Sequence, residues 1–291
     1  MMNKTAPMSL NQLKKPPSRP VAQATPPKAE VKLYPVENVQ FLLFNGKDMI
    51  SRQLRSGQLW DSPLIEIIKH FLTNIEKPVV LDIGANLGAI TIPVGLYVQK
   101  KQGQVISFEA QRGVYYQLCG NIFSNQLIDT CTAYNIAIGN ISGSIQVPVL
   151  DLAHEGNIGA LSLDENIRRQ QNLITSTISQ FDSVSLQPID SFNFTKIDLL
   201  KIDVEGLELE VLEGSVSTLK NCGFPPLFFE VWGDYMKELI PKRTALMNFV
   251  QQGLGYKTVM YGELCIAQHP DNQIFEISYS KAAGLSMTRL K

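Results

Sequence analysis

Asp82, Gly84 and Gly88 stand close together in VVLDIGANLGAITI, residues 79–92, and a second acid, Glu109, follows 21 residues after Gly88. An aliphatic run that ends in an acid and then two glycines reads as a buried strand turning into a helix. Glycine permits the tight turn and lets a ligand approach the backbone, because it carries no Cβ. A second group of charges lies in KIDVEG, where Lys201, Asp203 and Glu205 alternate at period two. In an extended strand the three would share one face, and charges at the end of a buried strand are costly unless paired or functional. PLFFEVW, residues 226–232, brings Glu230 and Trp232 to the end of another apolar run.

A dinucleotide fingerprint registered on Gly84 would need glycine at position 86, where this chain has Asn86. The residue that admits a pyrophosphate is therefore missing, and Asp82 would repel a phosphate. A carboxylate there suits a cationic ligand instead. S-adenosylmethionine, with an ammonium and a sulfonium, is such a ligand. Glu109, ending the second strand, is placed to accept hydrogen bonds from both ribose hydroxyls.

These residues require an open sheet to hold them. PVVLDI, QVISFE, AYNIAI, DLLKID and PLFFEV are short, nearly all-apolar runs, as expected of strands buried on both faces. AITIPVGLYVQK, VYYQLCGNIFSNQL and LELEVLEGSVSTLK separate most of them with helical periodicity, and YKTVMY and IFEISY are expected as two final strands. The rhythm predicts an α/β fold, a doubly wound sheet with helices on both faces, whose ligands bind outside the carboxyl ends of the strands.

Ahead of this core, residues 31–77 carry two short strands, VKLYPV and VQFLLF, and an amphipathic helix in WDSPLIEIIKHFL with Ser62 as the expected N-cap. Residues 1–30 hold six prolines and few large apolar side chains, which reads as a flexible tail. The longest irregular stretch, about residues 150–185, is expected to be a lid over the acceptor. Its one histidine, His154, is a minor candidate base beside the usual reading of a solvated loop histidine.

With 26 Lys and Arg against 27 Asp and Glu, the net charge of −1 gives no bulk field for nucleic acid or anionic membrane. No run is apolar over the ~20 residues of a membrane span. Four cysteines without metal-ligand spacing read as reduced thiols of a cytoplasmic protein. Oligomeric state is left open by the sequence.

Taken together, VVLDIGANLGAITI, VISFEAQ, NIAIG, GNIGALSL and LLKIDVEGLELEVLEG resemble the FkbM-type methyltransferases over about residues 78–280. The chain departs from the usual proline-containing FEP at Ala110-Gln111. The resemblance implies a Rossmann-like sheet of seven strands, the class I methyltransferase fold, and S-adenosylmethionine-dependent O-methylation of a sugar, glycan or small natural product. It implies a cofactor site of Asp82, Gly84, Asn86, Gly88, Glu109, Ala110, Ala137 and Asp203. The catalytic candidates are Asp203, Glu230, Glu205, Lys201 and His154. Metal-free base catalysis, Asp203 first and Glu230 second, is the expected route, with Mg²⁺ held by the same carboxylates as the alternative. Lys201 and Glu205 are equally readable as neutralising partners that support the sheet. An NAD-dependent oxidoreductase, or a non-catalytic module that binds S-adenosylmethionine, is the competing function. A nucleic-acid methyltransferase would carry an N/D-P-P-aromatic motif where this chain has KIDVEG.

Overall fold

A computed structural model describes residues 30–150, 152, 158–171 and 180–290. The expected tail (apart from Glu30) and His154 lie outside the described residues. The order of elements begins with a hairpin, β1 (Val31–Val36) and β2 (Val39–Phe44), then helices α1 (Met49–Arg55) and α2 (Ser62–Leu72). The N-cap of α2 is Asp61 rather than Ser62: its carboxylate accepts from the Leu64 amide, and it sits at φ +43°. Carboxylate and hydroxyl both cap well, so only the backbone geometry chooses between neighbours.

The alternation β3 (Val79–Ile83), α3 (Thr91–Gln99), β4 (Gln104–Phe108), α4 (Arg112–Ser124) and β5 (Cys131–Tyr134) follows, as the apolar runs predict. AYNIAI then divides. β5 stops at Tyr134, and β6 (Ala137–Ile138) leaves the main sheet to pair with β8 (Phe181–Gln187), which also pairs antiparallel with β7 (Gly143–Pro148). The expected irregular stretch therefore contains α5 (Glu165–Gln171) and ends in a strand. The remaining elements are β9 (Leu199–Ile202), α6 (Glu208–Glu213), α7 (Val216–Asn221), β10 (Leu227–Glu230), α8 (Ile240–Asn248), β11 (Lys257–Tyr261), β12 (Leu264–Gln268), β13 (Phe275–Ser280) and β14 (Gly284–Arg289).

Seven strands form one sheet in the order β11-β12-β10-β9-β3-β4-β5, with β12 antiparallel to both neighbours. The strand of this sheet missed in the sequence is β12, LCIAQ, which returns from β11 through a tight turn at Gly262 (φ +64°). IFEISY is not a strand of this sheet: it forms β13 and pairs only with β14. The physical reason is length, since a two-residue turn lets β12 fold straight back on β11 and fill the place first.

The strands alternate between two apolar layers. Val80, Leu199 and Phe228 face the layer built with α2, α3, α4 and the N-terminal hairpin, whereas Leu81, Ile83, Leu200, Ile202, Leu227 and Phe229 face the layer built with α6 and α8. Residues of the same parity share a face, so Asp82 and Lys201, Cα partners in the ladder between β3 and β9, look toward the first layer. The hairpin is fixed by α4, where Asn121 and Gln117 bond the backbone of Leu42, and Asn125 bonds both backbone groups of Gln40. These amides complete hydrogen bonds that an edge strand otherwise leaves open.

Candidate active site

A cavity of about 650 Å³ opens at the carboxyl ends of β3, β4, β9 and β10, where the strand order reverses between β3 and β9. That is the place at which open α/β sheets bind ligands, and the volume is that of a small-molecule site. Gly84, Asn86, Glu109, Ala110, Ala137, Lys201, Asp203, Glu205 and Glu230 all line it. Asp82 and Gly88 lie behind the wall.

Asp82 is 1% exposed. One carboxylate oxygen lies 3.0 Å from the Lys201 ammonium, and the other accepts from the Thr91 hydroxyl at 2.6 Å. Lys201 also donates to the Gly84 carbonyl at 2.9 Å and stands 3.5 Å from Asp203. Burial works against the lysine charge, but Asp82 and Asp203 outweigh it and hold its pKa above the ordinary value. The ammonium thus ties the β3 turn to the end of β9. Gly84, at φ +75°, has its missing Cβ position 1.7 Å from the Asp203 carbonyl oxygen, so the two turns touch and any side chain there would collide. Gly88, at φ +94°, packs against Leu118 and Ile92. In this protein the glycines serve the approach of backbone to backbone and helix to core.

Glu109 is 8% exposed and accepts from the amides of Asn86 at 2.9 Å and Gln111 at 2.7 Å. Burial pushes its pKa up to about 7, against those two bonds and the Lys201 charge. Asn135, not singled out in the sequence, donates to the carbonyls of Glu109 and Ala110 and shapes this corner. Beside it the Gln111 side-chain nitrogen is buried without a hydrogen-bond partner. A buried donor left unpaired costs about 1–3 kcal/mol, which a ligand acceptor would recover. Gln111 thus puts a carboxamide in the cavity wall, next to Ala110, which stands where FEP has proline.

At the other end β9 stops at Ile202, and the period-two reading of KIDVEG breaks there. Glu205 has φ +55° and enters a turn held by Glu208, whose carboxylate accepts from the amides of Val204 and Gly206. The turn still delivers Asp203, Glu205 and Glu230 to one place: a carboxylate oxygen from each lies within 4.8 Å of the others. Asp203, with 45% of its side chain exposed, faces the opening. Burial, then Asp203 and Glu230, pushes Glu205 up to about 10. Burial, then Asp203 and Glu208, pushes Glu230 up to about 9, although the Trp232 indole donates to it at 2.7 Å. Trp232 therefore holds the Glu230 carboxyl in place. A roof closes over this end. Gln171 on α5 donates to the Ala160 carbonyl at 2.7 Å and lies 3.4 Å from the Glu205 carboxylate, while Gly159 and Leu161 line the cavity. The part of the expected lid that is described thus sits on the site; the rest lies outside the described residues.

Glu205 and Glu230 bind more protons folded than unfolded, so the stability they contribute is fully present below the unfolded value of 4.5 and is lost as pH rises through it toward about 9 and 10. Thermal melts of the ligand-free protein are expected to fall steadily from pH 5 to pH 9. Glu230→Gln should flatten that slope and raise the melting temperature at pH 8 by about 2–4 °C per kcal/mol relieved. A melting temperature that rises with pH would contradict the carboxylate pair.

The reversed strand order, the antiparallel β12 and a ligand cavity at the switch point define a class I methyltransferase fold. The chain belongs to the FkbM methyltransferase family, whose domain model matches residues 82–256. It is also similar to "Methyltransferase sdnD" of Sordaria araneosa, at 25% identity over 167 residues, spanning 47% of this chain and 60% of that protein. Among solved structures, methyltransferase FkbM from Methylobacillus flagellatus KT shares 16% identity, covering 67% of this chain and 44% of the other, with a TM-score of 0.43. Precorrin-6y C5,15-methyltransferase from Geobacter metallireducens GS-15 shares 10% identity, covering 79% and 86%, with a TM-score of 0.39. The family assignment rests on the domain match and not on these two likenesses.

Proposed function

We propose that this chain is an S-adenosylmethionine-dependent O-methyltransferase acting on a hydroxyl of a sugar, glycan or small natural product. The observation that supports it best is one cavity with two chemically different ends. Glu109 and the orphaned Gln111 amide stand at the first, and the Asp203, Glu205 and Glu230 carboxylates at the second. The first end fits the cofactor's nucleoside: a buried carboxylate for ribose hydroxyls, a free donor, and small walls at Ala110 and Ala137. When bound, the cofactor supplies a methyl group already activated on a sulfonium.

The protein must then align the acceptor oxygen and remove its proton, and alignment supplies ~7–11 kcal/mol of such barriers. Asp203 is the base in this reading, being exposed to the cavity and fixed by the Lys201 ammonium. Glu205 and Glu230, which hold protons at neutral pH, donate hydrogen bonds that orient the acceptor. This favours Asp203 over Glu230, whose carboxyl is pushed up to about 9 in the ligand-free protein. The same oxygens are of the kind Mg²⁺ takes, but the metal-free route needs no further component. A cytoplasmic setting fits the four free cysteines, and among the described residues no helix is long and apolar enough to cross a membrane.

Calorimetric titration tests the cofactor. S-adenosylmethionine and its demethylated product are expected to bind and NAD is not. Glu109→Ala removes a charge-assisted bond worth ~1.5–3 kcal/mol and should weaken binding tenfold or more. Binding of NAD in place of both methyl-cycle compounds would sink the reading.

A further inference from the structure

Both ends of the cavity are built mainly from the family-matched residues, Asp203, Glu205 and Glu230 included, but part of its wall comes from outside them. Gly84, Asn86, Glu109, Ala110, Gln111 and Ala137 all lie inside the family-matched residues 82–256. Trp60 and Asp61 precede that segment, and Tyr261 and Glu263 follow it, yet all four line the same cavity. Trp60 and Asp61 arrive at the start of α2, and Asp61 holds a left-handed backbone (φ +43°), a strained placement for a residue other than glycine. Tyr261 and Glu263 arrive on the tight turn between β11 and β12. The carboxylate of Glu263 is held by the Gly233 amide at 3.1 Å.

Charge distinguishes this end. Asp61, Asp203, Glu205, Glu230 and Glu263 bring five carboxylates to the lining, and Lys201 is the single basic residue among the described lining residues. That lysine is already shared between Asp82 and Asp203. Burial and mutual repulsion keep protons on Glu205 and Glu230 for want of a cation. An anionic acceptor would meet this field unfavourably, and a cationic one would relieve it. Trp60, Tyr235 and Tyr261 add aromatic surface of the kind that holds organic cations as well as sugar faces.

We propose that the acceptor bears an ammonium group near the hydroxyl that is methylated, and that Trp60, Asp61, Tyr261 and Glu263 select it. The chemical class is a hydroxylated amine, an amino sugar or amino alcohol. This rests on the methyltransferase reading above and adds the acceptor's charge to it. Binding exchanges positive charge for one proton: the ammonium displaces the proton of one of the pair Glu205 and Glu230 to the buffer, and the other keeps its proton and donates to the acceptor.

The test uses the full chain saturated with S-adenosylhomocysteine and three matched probes: glucosamine, glucose and glucuronate. Calorimetry in two buffers of different ionisation enthalpy reads both affinity and proton release. Glucosamine is expected to bind about tenfold or more tighter than glucose, with proton release, and glucuronate weakest. Asp61→Asn with Glu263→Gln should reduce the glucosamine preference severalfold while leaving S-adenosylhomocysteine affinity unchanged. Because Asn retains the oxygen that caps α2, a folded variant is expected; Trp60→Ala, which leaves every carboxylate in place, gives an independent loss. Equal or tighter binding of glucose or glucuronate overturns the proposal, as does undetectable glucosamine binding by the cofactor-loaded protein. So does Mg²⁺ binding that releases the protons while the sugars show no charge preference. Failure of S-adenosylhomocysteine itself to bind would fall on the methyltransferase reading instead.

Discussion

Lys201→Met is expected to cost about 3–5 kcal/mol of folding stability, the penalty for removing one partner of a buried ion pair. Asp82 would be left 1% exposed with only the Thr91 hydroxyl as partner, and the Gly84 carbonyl would lose its donor. Urea denaturation measures the loss. The companion variant Asp82→Leu with Lys201→Met removes both charges and should recover much of it, because the uncompensated carboxylate is what costs most. A loss under ~1 kcal/mol in the single variant would show that water or a side-chain shift reaches Asp82. The same substitution is expected to weaken cofactor binding, since the ammonium holds the Gly84 turn against β9.

Asp203→Asn is expected to lower turnover by about 10²–10⁴-fold, the usual contribution of a general base, while the protein still folds. Asparagine keeps the shape and the contact toward Lys201 but cannot take a proton at any accessible pH. Single-turnover methyl transfer, measured beside cofactor affinity and a thermal melt, separates the chemical step from binding and stability. Full activity in Asp203→Asn would remove this residue from the reaction. Activity abolished by a chelator and restored by Mg²⁺ would overturn metal-free base catalysis. In that event Asp203, Glu205 and Glu230 become ligands, and Glu205→Gln should fail in the same way.

Much of the fold was legible because burial on both faces leaves a plain mark. VVLDI, QVISF, LLKI and LFFE are largely apolar on both alternating faces, and each became a parallel strand of the main sheet. Glu109 and Asp203 follow such runs directly, so their place at the carboxyl edge followed from the strands alone. Where the signal lay in backbone geometry rather than composition, it was lost. KIDVEG keeps its alternation on paper, but Glu205 turns to φ +55° because Glu208 gathers the amides of Val204 and Gly206. LCIAQ and IFEISY are equally good strands by composition, and only the turn at Gly262 seats the first in the sheet.

From the sequence alone came the class of fold, the succession along the chain of all its main strands but β12, and the acids and glycines at their ends, because these depend on local periodicity and on chain direction. Tertiary structure decided what each acid does. Asp82 and Glu109 look alike in sequence, one residue past an aliphatic run or within its end. Register pairs Asp82 with Lys201 behind the cavity wall, while Glu109 lines the cavity itself. It also decided that Trp60 and Asp61, some twenty residues ahead of the first main strand, share a cavity with Tyr261 and Glu263 near the other end. Such neighbours are set by packing across the sheet, which sums contacts over the whole chain and leaves no trace in the spacing of any one segment.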